Sequence, residues 1–473
     1  MNVDKKPSLV SLYTESVKAH LKSCVQSGVI EGFVCTIMTR TSFGGTFYNG
    51  LPHSKGPTQE NRPFQLEVSL LLRGQMGVSF SVETLSYSLF IQQLEFSISN
   101  AVSLRHGMSF RKQKSYPHLS LISKDLIQCF DSGGTVQEVR RILVETELSA
   151  SRVSHPLLMN REVSVSLSRT QREYFDSADN NAIEDSADCT VMVSYSLEDS
   201  GESHFDVFGH LPSADEIQGI VNEASRNIIP SKVRPLDTQV QLPVLLTSKA
   251  VADLFDQLVL PNLETRTLLD KTGAWDFLQM EKSLLSGVTI EDNPHLEHSP
   301  FSAVFDFEGT PTEPVLIMSD GCLLNPLMTS SLLAEVESEY PQWMGRFRLT
   351  GHADGPSSTT HTNLFIRINR PSMPELAKLS YIKIQNLTGM SVDPITGQFA
   401  LDADGAKVFA GGVLSYSTSL TLRGNFFEAI SSAETRVGDA SRHYNCWTPS
   451  LLTTSLSCVS KELAQDFKDS ELI

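Results

Sequence analysis

The sequence predicts an α+β protein, with layers of helix and strand in its N-terminal half and a β-rich domain after them. Three observations lead there. Apolar residues recur first at helical spacing and later in alternation, the two periods that mark amphipathic helices and half-buried strands. From Gln239 onward the composition shifts toward Gly, Pro, Thr and Ser, and strand-like runs become short and frequent. No repeat of the kind that builds solenoids or propellers accompanies the shift. The expected organisation is an N-terminal α+β domain over 1–115, a middle α+β region over 116–235 and the β-rich domain over 236–473.

Within 9–25, Leu12, Val17, Leu21 and Val25 stand roughly a helical turn apart with mostly polar residues between them, which predicts an amphipathic helix ended near Gly28. Residues 33–37 read as a strand, and 64–72 with 76–80 as a hairpin around Arg73 and Gly74. Ser81 is placed to cap a long helix whose Leu85, Leu89, Leu94, Ile98 and Val102 would face the sheet. A helix over 136–144 opens the middle region, and Glu162-Val-Ser-Val-Ser-Leu167 and Cys189-Thr-Val-Met-Val-Ser-Tyr195 alternate as strands do. The acidic 177–188 between them lacks the Asp-x-Asp-x-Asp-Gly order and twelfth-position Glu of a calcium loop, so a solvated turn is expected. Ser213 caps an amphipathic helix over 213–224. In the last domain, 248–258 is helical, 263–285 is a second, less regular helical stretch, and 288–292 returns to strand.

The chain has 473 residues, 40% hydrophobic and 20% charged, which suits a globular protein with two or three cores. Lys plus Arg total 38 against 55 Asp plus Glu, a net charge of -17 that argues against nucleic acid as a ligand, since phosphate binding needs clustered cations. No run approaches the ~20 apolar residues that span a bilayer, and the opening residues lack the apolar core of a signal peptide. A cytoplasmic protein without a membrane partner is expected. The seven cysteines, Cys24, Cys35, Cys129, Cys189, Cys322, Cys446 and Cys458, form no CxxC and are odd in number, so they read as small buried hydrophobes, with neither a disulfide framework nor a finger-type zinc site.

Nucleophile and phosphate motifs are missing: no G-x-S-x-G elbow and no G-x-x-x-x-G-K-[ST] loop occurs, and Gly44-Gly45 and Gly411-Gly412 read as turns. His295-Leu-Glu-His298 has the order H-x-E-H, unlike either zincin order, and the preceding Pro294 favours a polar surface turn. The segment from Gly351 to His361 offers His352, Asp354 and His361 to a metal or hydrolytic site, although its Gly and Pro content predicts a mobile connection.

Several short segments share an order. Ile290-Glu-Asp-Asn-Pro294, Phe305-Asp-Phe-Glu-Gly309, Thr362-Asn-Leu-Phe-Ile366 and Gly397-Gln-Phe-Ala400 with Gly405 come in the order and approximate spacing of the TldD/PmbA family, and the chain resembles that family on this ground. Thr421-Leu-Arg-Gly-Asn425 is similar to the family's late segment, and Pro449-Ser-Leu-Leu452 to the closing strand of the companion type, TldE or PmbA. Gln75-Met-Gly-Val-Ser-Phe80 agrees more loosely with a family strand before a helix. The resemblance implies a barrel-like C-terminal domain of the TldD/PmbA type. It also implies a pairing of a zinc peptidase with a metal-free companion.

Catalytic subunits of that family carry His-Glu-x-x-x-His on a helix, a later Cys ligand and a Glu that activates water. Two histidines about one turn apart face one ion, whose bound water then ionises near neutral pH. The corresponding helix is expected within 263–287, where Glu264 and Glu281 stand without any histidine. The resemblance therefore implies a companion subunit that carries no metal and pairs as a heterodimer with a TldD-like zinc peptidase subunit. Its implied substrate is an extended, unfolded or ribosomally made precursor peptide. The alternatives are a stand-alone peptide-binding or scaffold protein, as a homodimer, and an independent hydrolase using His352, Asp354 and His361. Because the histidine-bearing segment runs straight into Thr362-Asn363, His352, Asp354, His361 and Asn363 are candidates for lining a peptide cleft. In 364–368, Leu364, Ile366 and Ile368 share one strand face and Phe365 and Arg367 the other, so an exposed edge taking peptide and a core strand without a ligand are both open.

Overall fold

The helix expected over 9–25 forms as α1 (Leu9–Gln26), and the first strand extends well beyond its apolar start as β1 (Gly32–Tyr48). The computed structural model describes residues 9–53, 58–72, 76–83, 85–100, 116, 123–154, 158–197, 201–226, 242–280, 282–283, 285–355, 357–389 and 391–460. They divide into two units. The first comprises Met1–Ile228, Pro294–Glu313 and Met328–Thr360, the second Ile229–Asn293, Pro314–Leu327 and His361–Ile473.

In the first unit β1 is followed by β2 (Leu51–Pro52), β3 (Thr58–Leu72), β4 (Met76–Val82) and α2 (Tyr87–Ser99). Then come α3 (Lys124–Asp131), α4 (Thr135–Ala150), β5 (Leu158–Asp176), β6 (Asn181–Leu197), β7 (Gly201–Phe208) and α5 (Ala214–Arg226). The strands form one antiparallel sheet in the order β4-β3-β1-β5-β6-β7, with β2 paired to β1, so strands from both sides of residue 116 share it. Cys35, Phe175, Val163, Val165 and Leu167 lie on one face of that sheet, where α1 and α2 cover one end and α3, α4 and α5 the other. The alternation of Glu162-Val-Ser-Val-Ser-Leu167 is realised as buried Val163, Val165 and Leu167.

Three local readings change in this unit. Ser86, rather than Ser81, caps α2, accepting from the Leu89 N–H at 3.3 Å, and Val102 lies outside the described residues. The solvated turn expected over 177–188 is confined to 177–180. There the Asp176 carboxylate accepts from the N–H groups of Ala178 and Asn180 at 2.8 and 3.0 Å. Beyond it the acidic residues run in β6, where Arg169 pairs with Asp185 at 2.6 Å and Arg172 with Glu184 at 3.1 Å; cross-strand arginines balance the charge that made the segment read as solvated. Gly44 and Gly45 are likewise no turn, since they pair with Ser166 and Val165 inside the sheet.

The second unit begins with β8 (Val244–Leu246) and α6 (Ser248–Leu254), whose helix continues as a π turn, Phe255–Val259, and a 3-10 turn, Leu260–Leu263. The helical stretch expected over 263–285 shrinks to α7 (Thr265–Asp270) and a 3-10 turn, Phe277–Gln279, because Lys271 adopts φ +55 and stops the helix. After β9 (Val288–Asp292), β10 (Val315–Ser319) and β11 (Cys322–Leu323) comes α8 (Ser330–Glu339), which belongs to the first unit. The rest are β12 (Leu364–Ile368), β13 (Tyr381–Ile384), β14 (Val392–Asp393), β15 (Gln398–Ala410) and β16 (Val413–Asn425). They end with α9 (Phe426–Ser431), β17 (Arg436–His443), β18 (Cys446–Thr453) and β19 (Ser457–Ser460).

These strands make a mixed sheet in the order β11-β10-β9-β12-β18-β8-β13-β15-β16-β19, with β14 on β15 and β17 on β18. Among the described residues the path is open, so barrel-like describes it loosely. Gly411 and Gly412 do form the expected turn, at φ +55 and +76, and a Cβ on Gly412 would fall 2.2 Å from the Ala377 carbonyl oxygen. Among the described residues no helix is long and apolar enough to cross a membrane.

The cap expected at Ser213 is a reciprocal box: the Glu216 N–H donates to Ser213 Oγ at 3.3 Å, while Glu216 accepts from the Ser213 N–H at 2.8 Å. Ser213→Ala should cost about 1 kcal/mol in urea unfolding and leave the cooperativity of the transition unchanged. A loss within error of zero would mean that Glu216 alone satisfies the helix start.

Candidate functional site

The segment expected to be a mobile connection is a paired turn. The Thr360 N–H donates to the His352 carbonyl and the Asp354 N–H to the Ser358 carbonyl, both at 2.9 Å, and Ala353 bridges Thr359. Gly351 makes its close approach possible: it sits at φ +76, where a Cβ would lie 2.5 Å from the Pro311 carbonyl oxygen. His352 is 1% exposed and its Nδ1 meets Thr350 Oγ1 at 3.1 Å, whereas Asp354 is exposed. Both belong to the first unit, and His361 and Asn363 belong to the second. The four candidates therefore form no cluster inside either unit.

His295 reaches Thr312 Oγ1 through Nε2 at 3.0 Å. Burial, with a smaller push from His352, holds its imidazole below the usual value against the pull of Thr312 and Glu313. His298 occupies a left-handed turn at φ +56, and its carbonyl oxygen lies 2.3 Å from where a Gly209 Cβ would be. The two histidines of the H-x-E-H segment thus sit in a turn, as expected from Pro294.

Between these histidines the first unit holds a buried knot that sequence reading registered only as a family mark. Asp306 accepts from the N–H groups of Glu308, Thr310 and Ala353 at 2.9, 2.8 and 2.9 Å. Burial nevertheless pushes its carboxyl up to about 6. Glu308 accepts from the Ser330 N–H and hydroxyl, both at 2.8 Å, and burial, with Asp306 second, pushes it up to about 8. Gly309, at φ +71, leaves room for the Tyr174 ring, which a Cβ would meet at 2.0 Å, and its carbonyl accepts from the Tyr116 hydroxyl at 2.9 Å. Two acids two residues apart, flanked by Phe and closed by Gly, were the available signal in Phe305-Asp-Phe-Glu-Gly309.

The second unit has a parallel device. Asp292 is fully buried and accepts from the N–H groups of Thr362 and Asn363 at 2.7 and 3.2 Å and from the Thr362 hydroxyl. Asn363 closes the clasp: its Nδ2 donates to the Asn293 carbonyl at 2.8 Å, and the Asn293 N–H returns to the Asn363 carbonyl at 2.9 Å. Two segments noted separately in the sequence are thus halves of one contact. The strand that follows is interior. β12 pairs antiparallel with β9 along its length and parallel with β18 at Leu364 and Phe365, so of the two readings left open its start is a strand between two others and not a free edge. Leu364, Ile366 and Ile368 are buried, and on the other face Phe365 stacks on Trp447 at 4.7 Å while Arg367 pairs with Glu291 at 2.9 Å.

The late motifs also meet. Asn425 caps α9 by accepting from the Glu428 N–H at 3.1 Å and donates to the Thr396 carbonyl at 2.9 Å, while the Phe426 N–H donates to the Gly397 carbonyl at 2.8 Å. On the first unit's sheet, opposite the helical layer, Ser42, Thr46, Thr58, Ser164 and Ser166 with Gly44 and His53 line a cavity of about 330 Å³.

Residues 239–460 match the PmbA/TldA metallopeptidase C-terminal domain family. The chain carries the C-terminal domain of the PmbA/TldD family. It is 27% identical over 202 residues to the metalloprotease PmbA of Escherichia coli O157:H7, a match covering 43% of this chain and 42% of that protein's length. TldE from Thermococcus kodakarensis superposes with a TM-score of 0.75 at 14% identity, covering 93% of this chain and 99% of that one. A Thermotoga maritima protein described as a candidate modulator of a DNA gyrase gives 0.75 at 18% identity, covering 94% and 100%. The α+β fold with a β-rich C-terminal domain is thus the TldD/PmbA fold.

A zinc site of the PmbA/TldD metallopeptidase kind asks for imidazoles one turn apart on a helix. The chain has no histidine between His210 and His295, so neither α6 with its π extension nor α7 supplies one. Asp253 on α6 is instead 3.7 Å from His443 Nε2. Among the described residues no group of three or more His, Cys, Asp or Glu side chains could hold a metal ion. These donors do not fit that site.

The Asn363 amide satisfies a buried backbone group, so Asn363→Ala should destabilise the protein by about 1–3 kcal/mol in denaturant unfolding. Asp292→Ala, which strips the acceptor from three donors, should cost more. Equal, near-zero losses in both variants would mean that the clasp is replaceable by water.

Proposed function

We propose that this chain is the non-catalytic, TldE-like subunit of a TldD/TldE-type zinc metallopeptidase complex that cleaves unfolded or ribosomally made precursor peptides. The observation that carries the reading is the helical run from Ser248 to Leu263, which together with α7 contains no imidazole. Peptide hydrolysis needs water activated by a metal or base, or an assembled nucleophile, and neither candidate histidine is placed in one: His352 is buried against Thr350, and His295 is half-buried against Thr312. Zinc belongs to the TldD-like partner on this reading, and the present chain shapes the cavity in which an extended peptide lies. The matches to PmbA and TldE support that assignment. The same reading places the chain in the cytoplasm, where both subunits would meet precursor peptides before export.

Dialysed protein should carry no stoichiometric zinc and hydrolyse no peptide alone. Mixed with a zinc-bearing TldD-like protein it should co-purify as a heterodimer and support cleavage that a chelator abolishes. One zinc per chain, lost in His295→Ala or His298→Ala, would overturn the assignment; chelator-insensitive proteolysis lost in His352→Ala would identify an independent hydrolase instead. A homodimer that binds unfolded peptide and ignores the TldD-like protein would identify a stand-alone binding protein.

A further inference from the structure

The knot around Glu308 ties together three segments of the first unit that are distant in sequence: the 305–310 loop, the hairpin over 352–360 and the first turn of α8. Asp306 and Glu308 are 6% and 8% exposed and lie two residues apart on one loop, with the Glu308 N–H bonded to Asp306. Every hydrogen bond to either carboxylate among the described residues comes from a neutral donor: the N–H groups of Glu308, Thr310, Ala353 and Ser330, and the Ser330 hydroxyl. Two adjacent carboxylates removed from water cannot both ionise cheaply, and a proton on one is the usual remedy.

The surrounding charges decide which one. Asp306 takes three N–H donors, the arrangement that favours an anion, and His352 lies on its side as a further pull toward the charged form. Tyr174 on β5 and Tyr116 are raised first by burial, then by Asp176 and least by Asp306, and stay neutral, and Arg172 on β5 spends its guanidinium on Glu184 and the Phe305 ring and carbonyl. Glu335 on α8 is buried as well and adds no positive charge. Glu308 has only the Ser330 N–H and a hydroxyl, and that hydroxyl accepts as readily as it donates, so Glu308 can hold a proton on Oε1, donate it to Ser330 Oγ and still accept the Ser330 N–H on Oε2.

We infer that Glu308 is a neutral carboxylic acid in the folded protein near neutral pH and that this neutrality, which spares the buried site a second anion beside Asp306, keeps the first turn of α8 latched to the 305–310 loop. Loss of its proton places a second anion beside Asp306 away from water; the two Ser330 bonds favour that anion and pull the other way, but burial and Asp306 outweigh them, so the join is weakened. The direction follows from linkage: the folded chain binds this proton more tightly than the unfolded chain, so the stability it contributes is fully present in acid and is lost as pH rises from the ordinary carboxylate value through the folded one.

Thermal and denaturant unfolding of the full chain from about pH 5 to about pH 9 tests this, with Glu308→Gln as the isosteric stand-in for the neutral acid. The wild type should lose stability relative to Glu308→Gln by up to about tenfold in unfolding equilibrium constant per pH unit across that window. Amide exchange at Ser330 and Leu332, corrected for intrinsic rates, should rise with pH in the wild type and stay level in Glu308→Gln. The wild type should also show the infrared band of a protonated carboxyl at neutral pH, absent from Glu308→Gln and moved to lower pH in Asp306→Asn. Parallel stability profiles for wild type and Glu308→Gln, or no protonated-carboxyl band assignable to Glu308, would overturn the latch. If Asp306→Asn does not fold, the Glu308→Gln comparison decides alone.

Discussion

Both units depend on a buried aspartate that gathers backbone N–H groups from segments far apart in sequence. Asp306 joins the 305–310 loop to Ala353, and Asp292 joins the end of β9 to Thr362 and Asn363. A loop that leaves a sheet and turns back into the protein carries amide groups that must be satisfied away from water, and a carboxylate can accept several at once. Where such an acceptor is fixed, the loop has one conformation. The hairpin that carries His352 and the start of the strand that carries Phe365 are both placed this way.

This constraint explains why the recurring sequence segments are what they are. In Phe305-Asp-Phe-Glu-Gly309, Asp306 gathers amides, Glu308 meets α8 and Gly309 yields space to Tyr174. In Thr421-Leu-Arg-Gly-Asn425, Asn425 caps α9 and reaches the turn before Gly397. The segments mark the architecture of a PmbA/TldD domain rather than a set of reacting groups.

The first unit presents two dissimilar sheet faces. One is covered by helices over Val163, Val165, Leu167 and Cys35; the other carries Ser164, Ser166 and Thr46 at one end and Tyr174 with Phe305 at the other. Strand alternation produces both from the same residues, since each apolar position is followed by a small polar one. The hydroxyl-lined end is where the long strands run past the 304–309 cover. Histidine placement follows the same economy of local packing: His295 and His352 are both turned toward threonine hydroxyls within the first unit.

The sequence by itself determined the parts governed by near neighbours. The helix over 9–25, the alternation of 162–167 and 189–195, the Ser213 to Glu216 box and the Gly411-Gly412 turn are each set within one element and form as expected, although in the helix Val17 and Leu21 are buried with Tyr13 and the expected Leu12 is exposed. The ordered segments from Ile290 to Leu452 were enough to indicate the family because their residues are fixed by tight backbone geometry. Only the tertiary structure decided the rest. Charge along 177–188 looked solvated until Arg169 and Arg172 stood opposite it, and Gly44-Gly45 looked like a turn until β5 lay beside it. The strand over 364–368 shows the same alternation at an edge or in the interior, and its two partners lie some 70 residues before it and 80 after it in the chain. The Asp306 to Glu308 latch was invisible for that reason too: its meaning comes from Ser330 and Ala353, which no local pattern connects to it, and from removal of water, which only the folded chain can accomplish.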